Sequence, residues 1–263
     1  ACLVGSEMCI RDRNIKWEAD IYDKAFSFVH QYGEDVLNLL DLPAGGRVID
    51  LGCGSGALTR RLADAGFAVT GVDASAEMLE QAKALHPSLR FVLGDALHYR
   101  PDTPADAVFS NAVFHWIDDQ DGLLRNIAAM LREGGQLVCE FGGRGCCERI
   151  HRALQTGFEA RGIKYRRTFY FPTVEEYAPK MEAAGLMVTY AVLFERPTRL
   201  SGADGLRDWI RMFVKLPFEG VAPDMRKAII REAETRLRPE LYRDGSWYAD
   251  YVRIRLRAVK TGR

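Results

Sequence analysis

Three glycines fall within seven residues in Asp50-Leu-Gly52-Cys-Gly54-Ser-Gly56, directly after the apolar run Arg47-Val-Ile-Asp-Leu51 and before a helical pattern that starts at Ala57. The run reads as a buried strand entering a tight turn. Glycine there lets the backbone take positive φ and approach a ligand closely, and the helix start adds free N–H groups and the positive end of its dipole. A dinucleotide site would need G-x-G-x-x-G followed by an acid about 20 residues on. The third glycine arrives one residue early, at Gly56, whereas Asp73 stands where such an acid would, so the glycines alone leave the ligand open.

The pattern that follows constrains the fold. Ala57 to Ala65 reads as a helix closed by Gly66, Phe67 to Val72 as a strand ended by Asp73, and Ser75 to Leu85 as a helix with Ser75 as its N-cap. Further strands are expected at Arg90 to Leu93, Asp106 to Ser110 and Gly134 to Phe141, with a helix over Asp121 to Leu131. Strands alternating with helices predict an α/β fold, a doubly wound and mainly parallel sheet. After Gly142 helical patterns cover about 145–161, 174–184, 203–213 and 223–237, and two late strands span Met187 to Phe194 and Tyr251 to Lys260. In the last, Val252, Ile254, Leu256 and Ala258 alternate with Arg253, Arg255 and Arg257, which predicts a strand with one wet face or an antiparallel neighbour.

Composition sets the outer limits. The 263 residues are 48% hydrophobic and 27% charged, a globular profile that excludes a disordered, fibrous or disulfide-stapled chain. Thirty-six Lys and Arg balance thirty-six Asp and Glu, which argues against nucleic acid as the main partner. From Arg196 onward sixteen basic residues face nine acidic ones, a surface that could attract an anionic substrate or an acidic carrier protein. No apolar run approaches the ~20 residues of a membrane span. Residues 1–13, ACLVGSEMCIRDR, read as a non-native leader resembling a translated adapter, and 14–263 as a single domain. Cys53, Cys139, Cys146 and Cys147 lack zinc-site spacing, so no metal is expected and reduced thiols in a cytoplasmic protein are.

Four features in order decide between the ligands: the Asp50–Gly56 turn, Gly94-Asp95 after the third strand, Phe109-Ser-Asn111-Ala-Val-Phe-His115-Trp116 after the fourth, and Leu131-Arg-Glu-Gly134-Gly135 before the fifth. This set resembles the class I S-adenosylmethionine-dependent methyltransferases over roughly Trp17 to Arg263. The stretch from Asn111 to Leu124 looks most like the trans-aconitate 2-methyltransferase, or type 11, branch, whose relatives include carrier-protein malonyl methyltransferases. The resemblance implies a seven-stranded Rossmann-like sheet, a cofactor-binding core at about 44–142, and a substrate cap with sheet completion at about 143–263. It implies S-adenosylmethionine as cofactor, with Gly52, Cys53, Gly54 and Gly56 beneath its methionine part and Asp50 orienting that loop. Asp73 would accept from both ribose hydroxyls, Ala74 would pack on adenine, and Asp95 with the Ala96 backbone would read the adenine edge. Asn111 would lie near the amino group, and an N-terminal helix carrying Trp17 and Tyr22 would fold over the cofactor.

For the acceptor, His115 is a candidate general base or a polar lining residue, and it stands where those relatives often carry Gln. Trp116 is expected in the pocket wall. Arg144, Tyr165 and Arg167 could clamp an anionic acceptor or form a solvated basic turn. The favoured reaction is O-methylation of a small carboxylic acid, already ionised at neutral pH. The competing readings are methylation of a carrier-bound or nitrogen or carbon acceptor, and, against the position of Gly56, a NAD-dependent dehydrogenase.

Overall fold

The computed structural model describes residues 35–262. The leader and the Trp17 and Tyr22 helix lie outside the described residues. Elements alternate through β1 (Arg47–Leu51), α1 (Ala57–Asp64), β2 (Ala68–Asp73), α2 (Ala76–Leu85), β3 (Arg90–Leu93), β4 (Ala105–Asn111), α3 (Gln120–Met130) and β5 (Leu131–Gly142). Then come α4 (Glu148–Glu159), α5 (Val174–Ala183), β6 (Leu186–Glu195), β7 (Thr198–Arg199), α6 (Gly205–Phe213), α7 (Pro223–Leu241), β8 (Tyr242–Arg243), β9 (Ser246–Ala249) and β10 (Val252–Lys260). The main sheet is seven-stranded in the order β3-β2-β1-β4-β5-β10-β6. It is parallel from β3 to β5, and β10 runs antiparallel to both β5 and β6.

Helices cover both faces of the sheet at β1 and β4, and for that reason these strands are buried nearly throughout. Ile49 and Leu51 of β1 join Val108, Leu137 and the inner faces of α3 and α5 in one core cluster. Val48, on the opposite face, joins Phe109, Val138 and Leu58 and Leu62 of α1. Ser75 accepts from the Met78 N–H at 3.2 Å as the N-cap of α2, which buries Met78, Leu79 and Ala82. A third cluster holds α4, α6 and α7 against β9 through Ile150, Phe158, Trp209, Ile229 and Trp247.

One feature departs from the sequence expectation, and one alternative left open by it is decided. A small sheet, β7-β9-β8, lies within the 143–263 region where only helices and two strands were expected. Along β10, Ile254, Leu256 and Ala258 are buried, and of the two alternatives the antiparallel neighbour is the one found, on both sides of the strand. Arg255 and Arg196 both grip the buried Glu140 of β5, with Arg196 at 2.5 Å from Oε1 and Arg255 Nε at 2.7 Å from Oε2. Arg253 is buried, and Arg255 and Arg257 are only partly exposed. Among the described residues no helix is long and apolar enough to cross a membrane.

The short 3-10 turn Phe114–Trp116, which carries His115, is held by one buried amide. Gln120 Nε2 donates to the carbonyls of Phe114 at 2.8 Å and Ile117 at 2.6 Å, and its Oε1 accepts from the Tyr177 hydroxyl at 2.8 Å. Gln120→Leu takes the acceptor from the Tyr177 hydroxyl and a donor from the Phe114 and Ile117 carbonyls, and is expected to destabilise the fold by about 2–4 kcal/mol. Urea unfolding checks this: the midpoint should fall while the m-value stays constant.

Candidate active site

The sheet order reverses direction at β1, which pairs with β2 on one side and β4 on the other. In open α/β sheets ligands bind outside the carboxyl ends of the strands at this switch point. A cavity of about 230 Å³ opens there. Its floor is the backbone after β1. Gly52 and Gly54 sit at φ 78° and 55°, and a Cβ built on Gly52 would lie 2.2 Å from Val113 Cγ2. No other residue fits at Gly52 without moving the wall.

At the tip of β2, Asp73 accepts from the N–H of Gly54 at 2.9 Å and of Ser75 at 2.8 Å. Burial pushes its pKa up, opposed by the N–H groups of Ser75, Gly54 and Ala74. Asp50 is buried one residue before the end of β1 and accepts from Thr59 Oγ1 at 2.6 Å. Burial, followed by the charges of Asp50 and Asp73, raises the pKa of the Cys53 thiol, so it stays protonated. Asp95 turns its carboxylate onto the Leu97 N–H at 2.8 Å, with His98 Nδ1 at 3.0 Å from its other oxygen.

Asp50, Gly52, Cys53, Gly54, Asp73, Ala74, Asp95, Ala96, Asn111, His115 and Trp116 all line this one cavity. Other candidates do not. Gly56 caps α1 in the left-handed conformation, and a Cβ on it would lie 2.7 Å from Phe91 Cζ, so it serves packing rather than the cavity wall. Arg144 pairs with Glu176 on the surface. Arg167 grips Glu148 through both terminal nitrogens, and Tyr165 meets His151 Nδ1 at 2.6 Å. The basic turn is thus neutralised by its own acids and stands outside the cavity wall.

The residues that fill the other half of the cavity were missed. Phe169, Phe171, Trp209, Phe213, Tyr251 and Arg253 line it, together with Cys146 and Cys147. Phe169 stacks on Phe171 at 5.3 Å and meets Trp116 edge-on at 4.7 Å. Trp209 Nε1 donates to the Tyr251 hydroxyl at 2.7 Å, and the Arg253 guanidinium lies 4.5 Å over the Tyr251 ring. The signal for Arg253 lay in topology: an antiparallel strand beside β5 begins at the edge where the parallel strands end, so its first residues reach the cavity.

His115 has a defined protonation state. Burial, then the charge of Arg253, holds its pKa well below the ordinary value, so the imidazole is neutral. Its Nδ1 accepts from the Gly142 N–H at 3.3 Å, which leaves the proton on Nε2. To accept a proton at Nε2 the ring would have to carry one on Nδ1, facing another donor. This tautomer makes His115 a hydrogen-bond donor and counts against the general-base role. Burial raises the Cys146 thiol, but its contact with Cys147 at 3.9 Å and the Arg253 charge outweigh that and the net direction is down.

The strand order, with an antiparallel strand inserted beside the last parallel one, and a glycine-floored cavity at the switch point together define the Rossmann-like methyltransferase fold. A family profile described as "Methyltransferase domain" matches residues 49–139. An uncharacterized methyltransferase of Schizosaccharomyces pombe is 30% identical over 258 residues, covering 93% of this chain and 98% of that one. A trans-aconitate 2-methyltransferase of Rhizobium etli is 28% identical over 259 residues, covering 93% and 99%. Among solved structures, a candidate methyltransferase from Bacillus halodurans aligns with a TM-score of 0.62 at 17% identity, over 87% of this chain and 98% of that one. Phosphoethanolamine N-methyltransferase 2 of Haemonchus contortus, solved with S-adenosylhomocysteine, aligns at 0.57 and 18% identity, over 92% and 57%. The chain belongs to the S-adenosylmethionine-dependent methyltransferases, and its methyl donor is S-adenosylmethionine.

Two buried imidazoles give the fold an acid limit. His115 is held below its ordinary pKa, and burial lowers His151 to about 4. As pH falls below about 6.5 the unfolded chain binds protons that the folded one refuses, so stability is full above that value and lost below it. Each histidine is expected to contribute up to about 1.4 kcal/mol of loss per pH unit between about pH 6.5 and about pH 4. Urea unfolding of wild type and His151→Gln at about pH 7.5 and about pH 5 checks it: the variant should lose less stability between the two.

Proposed function

We propose that the chain methylates an oxygen of a small carboxylic acid. The observation that carries this reading is the locked tautomer of His115: the donor nitrogen faces away from Gly142, and the ring is not poised to take a proton. An acceptor that must be deprotonated would need such a base, whereas a carboxylate is ionised at neutral pH and needs none. The similarity to trans-aconitate 2-methyltransferases along nearly the whole chain supports the same class of acceptor.

The residues around the cavity fit the cofactor. The bare backbone at Gly52 and Gly54 leaves room that a Cβ would close, and it would lie beneath the methionine part. Asp73 takes the backbone N–H groups of Gly54, Ser75 and Ala74, and its remaining acceptor capacity would serve the ribose hydroxyls. Ala74 and Ala96 would face the adenine, Asp95 its edge, and Asn111 the amino end. When bound there, S-adenosylmethionine supplies a sulfonium-activated methyl group that an ionised oxygen can take up without losing a proton. The aromatic wall of Trp116, Phe169 and Phe213 excludes water from that junction. On this reading residues of about 44–142 hold the cofactor and those of about 143–262 shape the acceptor space.

S-adenosylmethionine is expected to raise the melting temperature of the wild type, and Asp73→Ala to weaken its binding by about 10–100-fold, the loss of two charge-assisted hydrogen bonds. Release of S-adenosylhomocysteine with a panel of free acids should occur with a rate that is flat between about pH 6 and about pH 9. Release only with carrier-bound thioesters or amines would overturn the free-acid reading, as would a rate that falls with loss of a basic group.

A further inference from the structure

We propose that Arg253 is the anion anchor of the acceptor half, and that it holds a carboxylate other than the one that receives the methyl group. The inference rests on the reading of the acceptor as an acid and adds a requirement, a second anionic group on the same molecule.

Arg253 is the second residue of β10 and pairs with Gly142 at the very end of β5. That register brings it to the cavity, where it is only 6% exposed. A guanidinium is charged at every relevant pH and offers five N–H donors in a planar fork. Burying such a charge is unfavourable unless a partner matches it. Among the described residues no carboxylate pairs with it. Glu140, on the neighbouring strand, has its two oxygens engaged by Arg196 and Arg255. Arg253 Nε has no hydrogen-bond partner. The Tyr251 ring, 4.5 Å from the guanidinium carbon, favours the charge without using any of its N–H groups. The other cavity residues around it, Cys146, Cys147 and His115, include no acceptor shaped for the fork. A small carboxylate is.

The same fork tells which carboxylate is held. Two parallel N–H···O bonds tie up the lone pairs of both oxygens. A carboxylate gripped in that way is a poor nucleophile. The group that attacks must therefore be a different one, kept free of the fork while the anchored end sets its position.

Trp116 and Trp209 line the cavity, so intrinsic fluorescence reports on its occupancy. The full chain, loaded with S-adenosylhomocysteine, is titrated with fumarate, trans-aconitate and crotonate, the last a monoacid matched to fumarate. The wild type is expected to bind at least one of the polyacids about tenfold or more tighter than crotonate, which is the scale of one desolvated charge pair. Arg253→Met should remove that preference while its affinity for S-adenosylhomocysteine, read by calorimetry, changes less than about threefold. Arg253→Lys keeps the charge without the fork and should lose most of the preference, which serves if the Met variant does not fold. Either variant binding the polyacids like the wild type overturns the anchor, as does a wild type that shows no preference for them up to about 10 mM. Arg253-dependent binding with no methyl transfer to any acid would leave the anchor standing and sink the acid-methylation reading. Transfer to acids that is indifferent to Arg253 would do the reverse.

Discussion

The Asp73 carboxylate ties two turns together. Its oxygens take the N–H of Gly54 from the turn after β1 and of Ser75 from the turn after β2, at 2.9 and 2.8 Å. Gly54 can aim its N–H at that oxygen because it sits at φ 55°, a conformation side chains disfavour. The floor of the cavity is therefore set before any ligand arrives, and its shape follows from a contact between adjacent strands. A carboxylate has about four lone-pair positions, so the group that fixes the floor still has acceptor capacity facing the cavity. Shape and recognition depend on one side chain, and its burial makes each remaining hydrogen bond stronger than it would be in water.

That Asp50, Gly52, Asp73, Asp95 and Asn111 would meet at one cavity was legible because these parts are local. β2 and β4 end in Asp73 and Asn111, Asp50 lies one residue inside the end of β1, and Asp95 stands two residues past β3. A reader who places the strand places Asp73, Asp95 and Asn111 with it. Gly56 shows the limit of that logic: the same motif that supplies the floor also supplies a packing glycine, and only the position of Phe91, far along the chain, tells the two apart. The other half of the cavity comes from four separated segments, around Trp116, Cys146, Phe169 and Trp209, joined by β10. No local period records that meeting. For the basic residues Arg144 and Arg167 the sequence left a clamp and a solvated turn both open, since their acidic partners, Glu176 and Glu148, lie 32 and 19 residues away along the chain. For Arg253 the alternation left a wet face and an antiparallel neighbour both open, because it reports which face a side chain takes and not what covers that face.

The two halves differ in charge, and that difference orders whatever they hold. Asp50, Asp73 and Asp95 gather at one end of the cavity and Arg253 stands toward the other. His115, between them, stays uncharged because it is buried and because Arg253 disfavours a second cation beside it. A cationic cofactor and an anionic acceptor, on the proposed reading, would each be repelled from the wrong end, so the cavity discriminates orientation as well as identity. Aromatic side chains, Trp116, Phe169 and Phe171, pack on one another along the cavity wall. Since methyl transfer to an ionised oxygen requires no proton movement, positioning is the main task left to the protein there. That is consistent with a wall made of Trp116, Phe169 and a neutral histidine held by Gly142 and by the Gln120 network behind it.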